Sequence, residues 1–153
     1  MRLFHRTPAE VRAAVVPPDR VLTYAQGPDG YVIATDRALY LGETRLPWSG
    51  IDRGLWGEEG LTVVTTDGRE HRVPLPEPGR VPEAVRERVV SSILVSQYVP
   101  LDARGGVRLV ARRGEDGEAV WDLGFDAGLD GSDPGLRALA EQALEGARRS
   151  FGI

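Results

Sequence analysis

Between Arg20 and Leu75 apolar side chains recur in short runs rich in β-branched and aromatic residues, each closed by a turn-forming group. The spacing predicts a meander of about seven short antiparallel strands, at 20–26, 31–35, 38–41, 44–48, 51–56, 61–66 and 69–75. Gly27-Pro28-Asp29-Gly30 and Asp36-Arg37 supply the first two turns, and Pro47 with Ser49-Gly50 supplies a kink. Asp67-Gly68 is the strongest hairpin signal, because both residues tolerate a positive φ.

Helical periodicity brackets this region. At the start, Thr7-Pro8-Ala9-Glu10 reads as a capping box with Thr7 at the N-cap and Pro8 at the first helical position. Val11, Ala14 and Val15 then share a face, and Val16 before Pro17-Pro18 is driven out of the α region. After the Pro/Gly-rich connector 74–79, Pro82 opens a helix to about residue 95. Val81, Val85, Val89 and Ile93 follow at i+4 steps, with Val90 and Leu94 beside them. The run VVSSILV also fits a strand; helix is the reading adopted.

The last third predicts a ββα unit. Strands at 107–112 and 119–126 flank Asp116-Gly117, and Trp121, Leu123 and Phe125 alternate with Asp122 and Asp126. A two-residue turn would set Ala111 against Asp122. A loop of three or five residues instead returns Val107, Leu109 and Ala111 to the apolar face and brings Arg108 and Arg112 near Asp122 and Asp126. Asp133-Pro134 then starts a helix whose stripe is Leu136, Leu139, Ala140, Ala143, Leu144, Ala147 and Phe151, with Gly152 as its stop.

The segments ATDRALYL (34–41), RLPWSGIDRG (45–54) and LTVVTTDG (61–68), followed by a helix, resemble a bacterial pleckstrin-homology-like (PH-like) or GRAM-like domain over roughly residues 20–96. In style the chain is also similar to small actinobacterial proteins. The resemblance implies an α+β fold: a bent antiparallel β-barrel of about seven strands closed by the 82–95 helix. It further implies a docking surface for proteins or lipids, with no catalytic set to carry over. Members that bind phosphoinositides carry basic residues between the first two strands. Here Gln26-Gly27-Pro28-Asp29-Gly30 has none, so phosphoinositide recognition does not transfer. The expected organisation is a lead-in at 1–19, the barrel with its helix at 20–96, and the ββα extension at 97–153.

Composition narrows the function classes. The 153 residues contain no cysteine, which excludes disulfides, thiolate nucleophiles and cysteine-held metals. All 19 basic residues are arginine; the enrichment in Arg, Ala, Gly and Pro together fits a GC-rich coding sequence better than a selected anion site. A net charge of −4, with acids interspersed among the arginines, argues against nucleic acid and against an anionic membrane surface. Apolar runs such as 13–16 and 93–95 are too short to span a bilayer. MRLFHRTPAEVR has no apolar stretch of signal-peptide length. The expectation is a cytoplasmic protein.

Candidate chemistry is sparse. His5 and His71 have no neighbouring His or Cys to share a proton or metal, so structural or surface roles are expected. Asp126, Asp130 and Asp133 lack EF-hand spacing; Asp133 or Ser132 reads as a helix cap. Trp48, Trp56, Trp121 and Phe125 read as core anchors. The expected function is therefore a non-enzymatic interaction or assembly module without cofactor, its partner a protein or a second copy in a homodimer. The alternative is a small-molecule-binding protein or enzyme with a pocket between barrel and ββα unit. The candidate ligand or interface residues are His71, Arg108, Arg112, Asp122 and Asp126. Their convergence on one apolar cleft would favour the alternative, and their pairing off on the surface would favour the module.

Overall fold

The computed structural model describes residues 7–153. The fold is α+β, with ten strands in three antiparallel sheets and three helices among the described residues. Chain contacts divide it into two compact units between Ser91 and Ser92.

The first unit contains α1 (Ala9–Ala14), β1 (Val21–Gly27), β2 (Gly30–Thr35), β3 (Ala38–Leu41), β4 (Thr44–Pro47), β5 (Ile51–Gly57), β6 (Gly60–Thr65), β7 (Glu70–Val73) and α2 (Val81–Ser92). The seven strands lie where the run-and-turn pattern puts them, within a residue or two at each end. They form two sheets, ordered β1-β2-β3-β4 and β5-β6-β7. Neither sheet is closed on itself. A single 3-10 turn, Trp48–Gly50, ends β4 one residue early and passes the chain from one sheet to the other.

One core is shared by both sheets and α2. Ala25, Val32, Ala34 and Leu39 come from the first sheet, Ile51, Leu61 and Val63 from the second, and Val81, Val85 and Val89 from the helix. The i+4 valines of the sequence thus line the buried side of α2. Trp48 is buried at the crossing, and its indole N–H donates to the Thr35 carbonyl at 2.9 Å. Thr35, fully buried, donates its hydroxyl to the Ala38 carbonyl (3.0 Å) and accepts from the Ala38 N–H (2.9 Å), building the β2–β3 turn. Thr35→Val strands the Ala38 N–H and is expected to cost about 2 kcal/mol. Thermal unfolding of that variant beside Thr35→Ser, which keeps the hydroxyl, checks it.

The N-terminal helix departs from its expected cap. Pro8 is the N-cap, with φ −55° and ψ 149°, and no side chain caps the end. Its carbonyl accepts from the Val11 and Arg12 N–H groups instead. Pro8 in extended geometry delays the helix to Ala9, which leaves Thr7 one position too early for a capping box. Val11 is still fully buried, against Ile33, Ala38 and Tyr40 on the outer side of the first sheet. His5 lies outside the described residues.

The second unit contains β8 (Ile93–Asp102), β9 (Gly105–Arg113), β10 (Ala119–Phe125) and α3 (Pro134–Phe151). It is a three-stranded sheet, β10-β9-β8, with a helix, rather than a ββα unit. The helix expected to reach 95 ends at Ser92. Ile93 and Val95 pair with Arg112 and Ala111, so the ladder captures the β-branched run that the apolar period also allowed to be helical. The unit accordingly begins ahead of the expected 96/97 boundary.

The β9–β10 hairpin uses the five-residue loop. Ala119 pairs with Arg113, Trp121 with Ala111, Leu123 with Leu109 and Phe125 with Val107. This register places the apolar set on one face, where Ala140, Ala143 and Ala147 of α3 pack. Alanines at these positions let the helix lie close to the sheet. Gly152 ends α3 with φ 71°, its N–H donating to the Arg148 carbonyl at 2.8 Å. Trp56 packs against the first core and Trp121 and Phe125 against that of the second unit, as anchors.

Candidate functional site

The five candidate residues fall in both units. His71 stands on β7 in the first unit, while Arg108, Arg112, Asp122 and Asp126 belong to the second. His71 borders an open hollow of about 480 Å³ whose other walls include Asp29, Tyr31, Glu43 and Arg72. Arg72 is occupied by Glu70, 3.1 Å away.

On the second sheet the four charged residues take up local partners. Arg112 is 2% exposed, and its Nη1 lies 3.8 Å from Asp122 Oδ2, a diagonal cross-strand pair of the kind the five-residue loop predicts. Arg108 does not reach Asp122. Its guanidinium lies 5.7 Å from the centre of the Tyr98 ring, and Nη1 donates to Ser96 Oγ at 3.2 Å.

Asp126 joins all three strands of the sheet. Its Oδ2 accepts from the Tyr98 hydroxyl of β8 at 2.5 Å and from the Gly106 N–H of β9 at 2.9 Å. Its own N–H, just past β10, donates to the Gly106 carbonyl at 3.0 Å. The Tyr98 hydrogen bond, then the Gly106 N–H, hold the Asp126 carboxyl below the usual range, with the Arg108 charge adding to them. The same bond to Asp126 raises the Tyr98 phenol. Asp130 accepts from the Ser132 hydroxyl and N–H and so shapes the turn before α3. Asp133 occupies the N-cap of α3 through its backbone alone, without a side-chain bond. Among the described residues no group of three His, Asp or Glu side chains is arranged to hold a metal ion.

The most connected polar cluster was not among the candidates. Asp19, in the segment between α1 and β1, has a side chain only 1% exposed. Tyr40 Oη donates to its Oδ2 at 2.7 Å, and Arg45 grips both oxygens through Nε at 3.0 Å and Nη2 at 3.1 Å. Arg37 Nε adds a longer contact of 3.7 Å. The Val16 N–H donates to Tyr40 Oη at 3.0 Å, closing the cluster onto the N-terminal segment. Burial by itself would raise the Asp19 carboxyl, but the bonds from Arg45 and Tyr40 and the two guanidinium charges outweigh it and lower the pKa. Burial and the bond to Asp19 raise the Tyr40 phenol. Half of this arrangement had a sequence signal: Tyr40 and Arg45 are directly opposed in the β3–β4 hairpin. Asp19 reaches them across more than twenty residues and had none.

A shallow groove of about 230 Å³ runs between β1 and α2, lined by Leu22 and Thr23 on one side and Arg80, Glu83, Glu87 and Arg88 on the other. Exposed large apolar side chains follow a rule. Those on strands are Leu22 of β1, Leu55 of β5, Ile93, Leu94 and Tyr98 of β8 and Val120 of β10, and each of these strands is the edge of its sheet. Among the described residues no helix is long and apolar enough to cross a membrane.

A scan against models of known protein families, a search of curated proteins and a search of solved structures each find no match for this chain.

Proposed function

We propose that this chain is a non-enzymatic, PH-like interaction and assembly module that engages protein, a second copy included, through the edges of its sheets. The PH-like part of the reading is supported by the four-plus-three arrangement of β1–β7 with α2 buried through Val81, Val85 and Val89. Because one fold hosts many activities, the functional part rests on the site. The observation that carries it is the placement of exposed apolar residues on edge strands. An edge offers unpaired backbone donors and acceptors, and apolar side chains there add the burial that makes strand addition favourable. The candidate charged residues of the second unit fit the same reading, since Arg112 with Asp122 and Asp126 with Tyr98 are committed to holding that unit's sheet together.

Light scattering on the purified chain, followed by affinity capture from a lysate of its source cells, tests the proposal. The expected result is self-assembly or stoichiometric recovery of a protein partner. A monomer that recovers no protein, yet gains thermal stability from small molecules, would overturn it.

A further inference from the structure

We propose that the outer face of the first sheet is a docking face for a short apolar and acidic segment of a protein partner, and that residues 8–19 of the chain occupy it as an internal ligand. The face is separate from the sheet edges, so its failure leaves the reading of those edges untouched.

Pairing register builds the face. Tyr24, Ile33, Tyr40 and Arg45 are successive cross-strand partners on β1, β2, β3 and β4, and so form one row across the whole sheet. Three members of the row are aliphatic or aromatic and the last is a cation. The β3–β4 hairpin organises the charged end by itself. Arg45 Nε donates to Tyr40 Oη at 3.2 Å, and the guanidinium lies 5.9 Å from the centre of the Tyr40 ring. Both residues belong to the sheet, so this half of the contact does not depend on residues 8–19 for its position.

The segment touches the face at few points. Val11 is fully buried and Val15 half-buried against its apolar part, and Asp19 enters the Arg45 fork with both oxygens. Such bidentate geometry is how arginine recognises a carboxylate. The contacts recur at every fourth residue, 11, 15 and 19, while the rest of α1 and residues 16–18 are exposed. A six-residue helix without a side-chain cap has little stability of its own, so the face holds the segment rather than the reverse. Firm attachment to the sheet begins one residue later. The Arg20 N–H donates to Asp36 Oδ1 at 2.8 Å, and the Arg20 carbonyl accepts from the Asp36 N–H at 3.0 Å. Lifting residues 8–19 about that point breaks no strand pairing, since the β1–β2 ladder starts at Val21. The ligand chemistry is defined by what the face already holds: two β-branched residues four apart, and a carboxylate four residues further on.

The test presents the segment in trans. The probe is a fluorescent, C-terminally amidated peptide of residues 7–19. The receptor is the full chain carrying Val11→Asp, which puts a charge where Val11 is buried and lifts the tethered segment without altering the face. A tethered ligand competes at an effective concentration of about 1 mM. The peptide is therefore expected to bind the Val11→Asp chain at least about tenfold more tightly than the native chain. A peptide carrying Asp19→Ala should bind that chain at least about tenfold more weakly. Amide exchange at residues 9–16 should be fast in the Val11→Asp chain while exchange in β2 and β3 stays slow. Asp19→Ala in the full chain is the second variant, and the peptide should bind it by supplying the missing carboxylate. If both substitutions leave exchange at 9–16 unchanged, or both remove protection from β2 and β3 with it, the segment is an integral part of the unit and the proposal is overturned. An opened chain that ignores the peptide, or binds it regardless of Asp19, would overturn it as well. Native-chain dimers abolished by Val11→Asp would assign the face to a second copy and overturn the partner named here.

Discussion

Gly106→Ala is expected to cost about 4 kcal/mol or more, at the far end of the range for single substitutions. Gly106 is buried on β9, opposite Pro100 of β8. A β-carbon there would overlap the Val99 carbonyl oxygen and lie 2.9 Å from both the Pro100 Cα and the Tyr98 ring. Two of these three obstacles are backbone, so the cost cannot be relieved by turning a side chain. Displacing Tyr98 also breaks its bond to Asp126, and moving Gly106 breaks the two bonds it makes with that residue. The three-strand junction is lost as a unit. Gly117→Ala is the control: Gly117 has φ 86° but nothing within 4 Å of the new carbon, so only the backbone penalty of about 1–2 kcal/mol applies. Chemical denaturation of both variants distinguishes them, and a Gly106→Ala protein as stable as the control would refute the close approach.

Asp19→Ala is expected to destabilise the first unit by about 3 kcal/mol at neutral pH. The basis is a buried, hydrogen-bonded carboxylate removed from two guanidinium groups and a phenol. Arg45 is partly exposed and recovers some hydration, which keeps the cost at the lower end for a broken buried pair. Tyr40, only 3% exposed, loses the acceptor of its hydroxyl. The loss should be felt first in α1. A helix of six residues is not stable by itself, and it is held by Val11 packing and by the Val16 N–H bond to Tyr40. Amide hydrogen exchange at residues 9–16 should therefore quicken more than exchange in β2 or β6.

The same residue carries a pH dependence of known sign. The Asp19 pKa is lower in the folded chain than its ordinary value of 3.8. Its contribution is therefore complete above the unfolded pKa and disappears as pH falls through the folded one. The stability difference between the native chain and Asp19→Ala should be constant from pH 6 to 7 and shrink in acid below about pH 4. A difference that stays constant into acid would show that the carboxylate charge contributes nothing.

The strands of the first unit and the hairpin of the second were legible in the sequence because their determinants are local. Asp-Gly and Gly-Pro-Asp-Gly turns bound the runs, and two-residue alternation at Trp121, Leu123 and Phe125 fixes which face is buried. The register of that hairpin also followed from sequence, since a two-residue turn would have set Ala111 against Asp122; the choice of five loop residues over three did not. The same locality explains the correct extent of α3 and its stop at Gly152.

What required the tertiary structure is what depends on partners distant in sequence. Ile93–Val95 satisfy helical and strand periodicity alike, and only the β9 ladder decides for strand, which adds β8 as a third strand of the second sheet. Pro8 takes the N-cap because its extended backbone starts the helix later than the Thr-to-Glu spacing implied. The division into two open sheets arises at the Trp48–Gly50 turn, where burial of the indole against Thr35 redirects the chain. Asp19 becomes the centre of a polar cluster only when β3 and β4 bring Tyr40 and Arg45 to it. Turn chemistry and side-chain period thus determined most strands and the last helix. The choice between two permitted periods, the separation of the sheets and the placement of buried charge were decided by long-range pairing, because their free energy exists only once distant segments meet.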